Sequence, residues 1–576
     1  MRPMVPGALA APIVLMLLAS GLRSAPAAEA ELSLHERIDR LIEAKLDAPP
    51  AAPATDGEFL RRAYLDLAGT IPSPEEARAF LDDPSPYKRD RLVDRLLELP
   101  SYARRMQYVF DATLLERRGD QHVPRADWEA FLLRCFAENV PYDEFVRRIL
   151  EADGSEPPEQ RAPAKFILER GADPDLLTRD IGRLFLGRDL QCAQCHDHPL
   201  IEDYKQAHYY GLRAFLDRTS LFTDPKTSRA MLAEKAEGET TFQSVFRKSV
   251  THTTAPRILD LEPIADPELP ENEAERYEVA PAKDVRSIPK YSRFDQLAPS
   301  LASDDVDAFS RTIANRLWAL MMKRGLVHPL DLDHADNPPS HPELLDLLAN
   351  SIRAMDYDIK AFLRELARTR AYRRSSEPPP GASEDLVEPS RFAVAGLEPL
   401  SPEQLAWSLM QALGVVDAHR QQAEADLDAL EADLCDLCRE DRDRIANRPW
   451  RIEQMVHDRL AGNVRGFVQI FGASEGQPDS SVESSVHQAL FLSNGPLVQS
   501  WLNPSGTNLT ARLAAIEDPA AVAEPLYLAV LSRRPSEEER AEVVSYLESR
   551  GADQRAAAVR ELAWALVTCS EFRFDH

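Results

Sequence analysis

The stretch YLDLAGTIPSPEEARAFL, Tyr64 to Leu81, contains the signals for one helix–turn–helix unit. Its first helix is expected to end near Gly69, because glycine readily adopts the left-handed conformation that closes many helices. A second helix is expected to follow Ser73, with Pro74 at its first position and Glu76 placed to complete a capping box. The stretch therefore predicts two helices joined by a tight turn.

A second stretch, far along the chain, repeats this pattern. YLAVLSRRPSEEERAEVVSYL, Tyr527 to Leu547, again places Tyr-Leu eight residues before Pro-Ser and an acidic helix start. Two interpretations remain open. The stretches could be an internal repeat of one helical unit, or a common helical connection that arose twice.

Apolar residues recur at helical spacing along most of the chain. Ser33 and Glu36 form another capping-box pattern, and Ser340 with Glu343 forms one before an apolar run. Amphipathic helices are expected at Tyr87 to Leu99, Trp128 to Asn139, Tyr142 to Ala152, Leu176 to Leu186, Ser310 to Arg324, His341 to Ala354, Ile359 to Arg370, Pro402 to Leu413 and Ala558 to Val567. The pattern predicts a mainly α, multi-helical fold.

Two stretches depart from the helical pattern and suggest how the chain is divided. Gly238 to Phe246 alternates as a β-strand does, and Leu259 to Pro299 is rich in proline and acidic residues. We therefore expect two helical halves joined by a connector with a small β-containing insertion. The expected boundaries are a signal peptide at 1–30, a first helical domain at 31–220, the insertion and connector at 221–300, and a second helical domain at 301–576.

The N-terminal residues resemble a secretory signal peptide. Arg2 precedes the apolar run Ala8 to Leu22, and A-x-A cleavage sites end at Ala27 or Ala30. The run is shorter than the roughly 20 residues that a membrane span needs, and no later run is longer. The sequence predicts export to the periplasm or the extracellular space, with no stable membrane span.

Composition and charge exclude one class of partner. The formal net charge of the 576 residues is -27, and it becomes -28 when Arg2, Arg23 and Glu29 leave with the signal. Such a surface repels phosphate backbones, so nucleic-acid binding is not expected. With 44% hydrophobic residues the chain can bury substantial cores.

The stretch LQCAQCHDHPL, Leu190 to Leu200, contains the spacing C-x-x-C-H. In c-type cytochromes the two thiols attach to the haem vinyl groups and the adjacent imidazole binds the iron, which assigns Cys192, Cys195 and His196 to those roles. Two alternatives stay open. The same residues with His198 or His208 could hold zinc or iron, or the two thiols could pair as a disulfide.

Other candidate residues carry weaker signals. His208, His252 and Met231 are possible further iron ligands, although nothing in the spacing selects one of them. A second C-x-x-C, Cys435 and Cys438, is followed by Arg439 instead of histidine, so it is not a haem site. It is interpreted as chance thiols or a local disulfide.

Several stretches together resemble a known family. CAQCHDHPL, NPPSHPELLD, LFLSNGPLV and PLYLAVLSRRPSEEE, with the opening stretch, are similar to exported planctomycete proteins in which a cytochrome-c-like domain of unknown function precedes a second domain of unknown function. The resemblance covers almost the whole chain after the signal. The family pattern includes His198, whereas it usually has an acidic residue at the position of His208.

The family name implies no reaction of its own, but the C-x-x-C-H motif predicts a single covalent haem c that acts in electron transfer or haem redox chemistry. The lineage that the family resembles suggests a link to polysaccharide breakdown. Many relatives begin with a separate small cytochrome domain, but this chain has no cysteine before Cys135. An exported redox partner, such as a separate cytochrome, is therefore expected. The other hypotheses are a metal-dependent enzyme or metal-stabilised scaffold that uses zinc or iron, and a helical interaction protein with a C-x-x-C disulfide. Whether the protein is an enzyme stays open.

Overall fold

The computed structural model describes residues 32–157, 160–247, 249–432, 442–477 and 485–575. The expected signal peptide and the Cys435–Cys438 pair lie outside these ranges. Helices account for 56% of the residues and the strands are short, which confirms the mainly α prediction. Within the described ranges, every helix is too short or too polar to cross a lipid bilayer.

The described residues of the N-terminal half form ten α-helices, several with the capping boxes that their sequences predict. Ser33 and Ser73 each cap a helix together with the glutamate three residues later. The helices are α1 (Leu34–Glu43), α2 (Asp56–Ala68), α3 (Pro74–Asp82), α4 (Lys88–Glu98), α5 (Pro100–Leu115), α6 (Arg125–Ala137), α7 (Tyr142–Leu150), α8 (Lys165–Leu168), α9 (Pro174–Leu186) and α10 (Gln206–Arg213).

Short antiparallel hairpins follow α10, where the β-containing insertion was expected. Strand β1 (Thr219–Thr223) pairs with β2 (Ala230–Glu234), β3 (Thr240–Phe242) with β4 (His252–Thr254), and β5 (Tyr277–Val279) with β6 (Ile288–Pro289). In the second hairpin Phe242 lies opposite His252. The alternating stretch from Gly238 thus forms β3, and its last residues form the loop that follows the strand.

The C-terminal half is again helical. Its helices are α11 (Leu297–Leu301), α12 (Asp307–Met322), α13 (Pro342–Ala354), α14 (Ile359–Arg368), α15 (Pro402–Ala412), α16 (Val415–Glu431), α17 (Arg442–Phe471), α18 (Val486–Asn494), α19 (Pro496–Leu502), α20 (Leu509–Ala514), α21 (Ala523–Leu531), α22 (Glu537–Arg550), α23 (Arg555–Thr568) and α24 (Ser570–Arg573). The predicted cap of α13 was wrong: its N-cap is His341, and the Ser340 hydroxyl lies 3.1 Å from His341 Nδ1 instead of capping the helix.

Two hydrophobic cores organise these helices, and the division between them does not fall at the connector. The larger core takes residues from Leu34 to Phe392, together with Leu528, and the smaller one takes residues from Leu400 to Phe572, together with Leu65 and Ile71. Helix α2 contributes to both, because it is buried on nearly every side. The boundaries at 220 and 300 remain predictions.

A buried ion cluster joins α2 to two distant parts of the chain. Strand β7 (Glu398–Pro399) pairs with β8 (Phe574–Asp575). The Lys323 ammonium donates to Asp66 and, at 2.5 Å, to Asp575 Oδ2, while the Tyr372 hydroxyl donates to Asp66 Oδ2 at 2.8 Å. Burial and the neighbouring Asp575 carboxylate raise the pKa of Asp66 to about 7.

Candidate functional site

The C-x-x-C-H motif lies in the loop between α9 and α10. Gly187 ends α9 in the left-handed conformation, with φ +66°. A 3-10 turn of Gln191–Gln194 follows, and the Asp189 carboxylate accepts a hydrogen bond from its first backbone N–H at 3.0 Å. Leu190 and Ala193 are fully buried and anchor this turn to the larger core.

Both thiols of the motif face solvent. Cys192 and Cys195 are exposed and free, so the structure contains no disulfide between them. Residues three apart in a helical turn share a face. The two sulfurs are therefore available on one side of the loop while the other side packs inward.

The His196 ring has a defined tautomer. Its Nδ1 lies 2.6 Å from the backbone carbonyl oxygen of Asp197. A carbonyl oxygen only accepts hydrogen bonds, so Nδ1 must carry the hydrogen and donate. The lone pair of Nε2 is left for a ligand, and a donating Nδ1 is the usual arrangement of a metal-binding histidine.

His198 has the opposite tautomer. Its Nδ1 accepts the backbone N–H groups of Leu200, at 3.3 Å, and of Ile201, at 3.0 Å. Its remaining hydrogen is therefore on Nε2, and neither nitrogen has a free lone pair for a metal while these bonds persist. Among the described residues, no three His, Cys, Asp or Glu side chains converge as a metal site would require.

Helix α10 holds the motif through two side chains. The buried Gln206 side chain donates to the carbonyl oxygens of Gln194, at 3.2 Å, and of Gln243, at 3.1 Å. Tyr210 donates to the same Gln194 oxygen at 3.1 Å. The Gln206 backbone N–H donates to Asp197 Oδ1 at 2.8 Å. These hydrogen bonds join the loop to α10 and to the β3–β4 hairpin.

The β3–β4 hairpin covers one side of the motif with apolar groups. The Val245 N–H donates to the Cys195 carbonyl at 3.0 Å, and the Phe246 ring centroid lies 4.9 Å from that of His196. Phe246 and Leu200 are each 78% exposed. Exposed apolar side chains of this size next to a histidine indicate a surface that a large apolar group could cover.

The remaining candidate ligands lie in other settings. His208 is buried on α10, and its Nε2 lies 2.9 Å from Asp260 Oδ1. Burial lowers the pKa of His208, against the opposing effect of Asp260. His252 stacks on Phe242 with ring centroids 5.2 Å apart, and Met231 lies on β2. Burial raises the pKa of the Cys135 thiol to about 11, which suits an inert core cysteine.

The sequence analysis missed Gln206 and Phe246 as parts of this site. Gln206 follows Cys195 by eleven residues and has no motif of its own. Phe246 lies at the end of the alternating stretch from Gly238, so the strand signal was available. The strand signal does not show that β3 pairs with β4, and this pairing places the hairpin beside His196.

Comparisons with known proteins identify both halves of the chain. Residues 37–220 match a family described as Protein of unknown function (DUF1549), and residues 293–547 match one described as Protein of unknown function (DUF1553). No curated protein and no solved structure matches the chain. The predicted pair of domains of unknown function is confirmed, in the predicted order.

Proposed function

We propose that this chain, which carries the pair of domains, binds a single haem c. The attachment site is the loop between α9 and α10. Cys192 and Cys195 would form the thioether bonds, and His196 Nε2 would bind the iron. The protein would act in electron transfer or in redox chemistry at that haem. Haem supplies an iron that accepts and returns one electron.

The observation that carries the proposal is the contrast between the two neighbouring histidines. His196 donates through Nδ1 to a carbonyl oxygen and keeps the Nε2 lone pair free, whereas His198 uses its Nδ1 lone pair to accept two backbone hydrogen bonds. Only the histidine that directly follows Cys195 is therefore prepared as a ligand. This is the position that covalent haem attachment demands.

The surroundings of the motif fit the same group. The free thiols are exposed on a rigid turn, and Phe246 and Leu200 present apolar surface that a porphyrin would cover. Gln206 and Tyr210 hold the Gln194 carbonyl, which keeps both cysteines in place. A zinc or iron site on Cys192, Cys195, His196 and His198 has no comparable support, because His198 would first have to give up its backbone hydrogen bonds.

The proposal extends to a partner and a location. The apolar run and cleavage sites before residue 31 favour export, and the formal charge of -27 favours a redox partner that docks through a basic face. The C-terminal domain would serve as a docking or substrate module, with polysaccharide breakdown as the proposed setting.

The experiment produces the full chain in a host with cytochrome c maturation machinery. Haem should remain with the polypeptide through denaturing electrophoresis, because thioether bonds survive unfolding. The double variant Cys192→Ala/Cys195→Ala should lose the haem stain completely. His196→Ala should change the spectrum of the reduced protein, whereas His198→Ala should leave it largely unaltered.

The chain contains a matched control for this experiment. Cys435→Ala/Cys438→Ala removes a C-x-x-C that precedes Arg439, and it should leave the haem stain unchanged. A colourless protein that contains about one zinc per chain, and loses the zinc in His196→Ala, would favour the metal hypothesis over haem. Colourless protein without metal, with Cys192 and Cys195 resistant to thiol labelling until reduced, would leave the disulfide.

A further inference from the structure

A polar cleft lies between the first helix–turn–helix unit and the smaller hydrophobic core, and its volume is about 380 Å³. The turn after Gly69 forms one wall and α5 forms another, while α15, α16 and α17 close the opposite side. The side chains used below are Tyr64, Arg104, Arg105, Tyr108, Glu403 and Trp407. The size is that of sites for small organic ligands.

Arg105 is buried in the wall of this cleft without a partner. The residue is only 8% exposed, and its guanidinium makes no hydrogen bond or ion pair with any described residue. Four carboxylates surround it without forming an ion pair with it, those of Asp66, Asp575, Glu403 and Glu398, and burial raises the pKa of Glu398. Asp66 and Asp575 bind Lys323, and Glu403 accepts from Arg117 Nη1 at 2.5 Å.

Arg104, the preceding residue, has only neutral partners. It is 5% exposed, and its two Nη atoms donate to the amide oxygens of Gln107 and Gln454, each at 2.9 Å. Its Nε is buried with no partner among the described residues. Two adjacent buried cations that make no ion pair are costly, because each has lost water without gaining a directly bound opposite charge.

The local backbone is adapted to Arg105. Gly69 has φ +73°, and a Cβ placed there would lie 3.0 Å from Arg105 Cδ. The missing side chain lets the arginine lie across the turn. The glycine that ends α2 thus also makes room for the aliphatic part of the Arg105 side chain.

The rest of the cleft combines aromatic rings with charged side chains, among them Glu76, Asp417, Arg420 and Glu453. Trp407 Nε1 lies 3.4 Å from the Tyr108 hydroxyl, which in turn lies 3.0 Å from His457 Nε2. The polar edges of both rings are therefore occupied. The Tyr64 hydroxyl accepts from Arg95 at 2.6 Å. These rings can contact a ring-shaped ligand while the arginines bind its charge.

We propose that this cleft binds a small organic anion, with a carboxylate or sulfonate-type group on Arg104 and Arg105 and a ring against Trp407 and Tyr108. The site is separate from the C-x-x-C-H loop. The ligand would supply the directly bound anion that Arg105 lacks among the described residues.

The test measures the thermal midpoint and calorimetric binding of the full chain with benzoate, benzenesulfonate, inorganic sulfate and neutral benzyl alcohol at matched ionic strength. Benzoate or benzenesulfonate should raise the midpoint in proportion to the logarithm of its concentration. Benzyl alcohol should not, and sulfate should bind more weakly than the ring-bearing anions. No shift with either organic anion, or equal binding of benzyl alcohol, would overturn the proposal.

The decisive variant is Arg105→Gln. It should weaken binding of the organic anions at least tenfold, and it should leave the midpoint of the ligand-free protein unchanged or higher, because an unpaired buried charge is removed. Arg147→Gln, at an exposed helix position, should change neither quantity. If Arg105→Gln lowers the ligand-free midpoint and keeps the affinity, Arg105 is a structural residue and the proposal fails.

Discussion

The two helix–turn–helix units that the sequence places at opposite ends of the chain close in the same way but differ in their arginines. Gly69 and Ser532 each end a helix in the left-handed conformation, and Ser73 and Ser536, four residues later in each case, begin the next helix with a capping box. Beside the first turn Arg105 has no partner. In the second, Arg533 makes four hydrogen bonds to Glu539 and Glu571, at 2.6 to 2.9 Å.

This difference separates two uses of a buried or half-buried arginine. Arg533 joins α22 to α24 and has every charge matched within the protein. Arg105 lies in a cleft wall where carboxylates approach it, but it makes no ion pair with any described residue. Removal of an arginine of the first kind should destabilise the fold, whereas removal of one of the second kind should not.

The largest effect is expected at the most completely paired arginine. Arg170 is fully buried; its Nε donates to Asp180 Oδ2 at 2.7 Å and its Nη atoms donate to two carbonyl oxygens. Burial alone would raise the pKa of Asp180, but the neighbouring arginines hold this pKa at about 2. Arg170→Met should lower the free energy of unfolding by about 3–5 kcal/mol, because it removes the nearest of four arginine partners of Asp180 and leaves two buried carbonyl oxygens without these donors.

Chemical denaturation measures this loss of stability. The variant Arg105→Met is the control, because it removes an arginine that makes no ion pair. Arg105→Met should leave the free energy of unfolding unchanged or raised. If both variants lose the same stability, the distinction between paired and unpaired arginines is wrong.

Reciprocal substitutions at the two turns should change the free energy of unfolding in opposite directions. Gly69→Ala should lower the free energy of unfolding by about 1–2 kcal/mol, since φ +73° disfavours a side chain and Arg105 occupies the space. Ser532→Gly should raise it by up to about 1 kcal/mol, because the buried Ser532 hydroxyl has no partner among the described residues and φ is +60°. Denaturation of both variants checks the prediction, and effects of equal sign would contradict it.

The smallest effect concerns acid. Hydrogen bonds from Arg533 lower the pKa of Glu539 to about 2, below its ordinary value of 4.5. A carboxylate with a lowered pKa contributes stability above its unfolded pKa, and that contribution disappears as the pH falls through the folded pKa. Thermal midpoints should therefore decline between about pH 4.5 and 2, and Glu539→Gln should flatten this decline.

Arg533→Gln should flatten the same decline, because it removes the partner that lowers the pKa. An unaltered slope in both variants would show that this pair does not control the acid response.

Local signals were enough to predict most helices, whereas the site depends on contacts between distant residues. Ser33, Ser73 and Ser536 each lie three residues before a glutamate, so their caps follow from neighbouring residues alone. The motif at Cys192 was evident from its spacing. That Phe246 would lie beside His196 could not be read from spacing, since fifty residues separate them and a hairpin sets the approach.

The unpaired arginine was hidden for the same reason. Arg104 and Arg105 in YARRMQYVF stand inside a helix that is otherwise mainly apolar, which is an unusual place for two cations. The sequence could have identified them as buried. It could not have shown that the nearby carboxylates Asp66 and Asp575 are already bound to Lys323, which is 257 residues from one and 252 from the other.

That ion cluster also bears on the order in which the molecule folds. Contacts over such separations close very long loops. The loss of chain entropy on closure precedes any stabilisation from the contact itself. Without Lys323 two carboxylates are buried side by side, and without one aspartate the ammonium keeps a single carboxylate, so partial assembly is unfavourable. We therefore expect the three groups to come together in one late step, after which the two hydrophobic cores, joined through α2, open and close as a single cooperative unit.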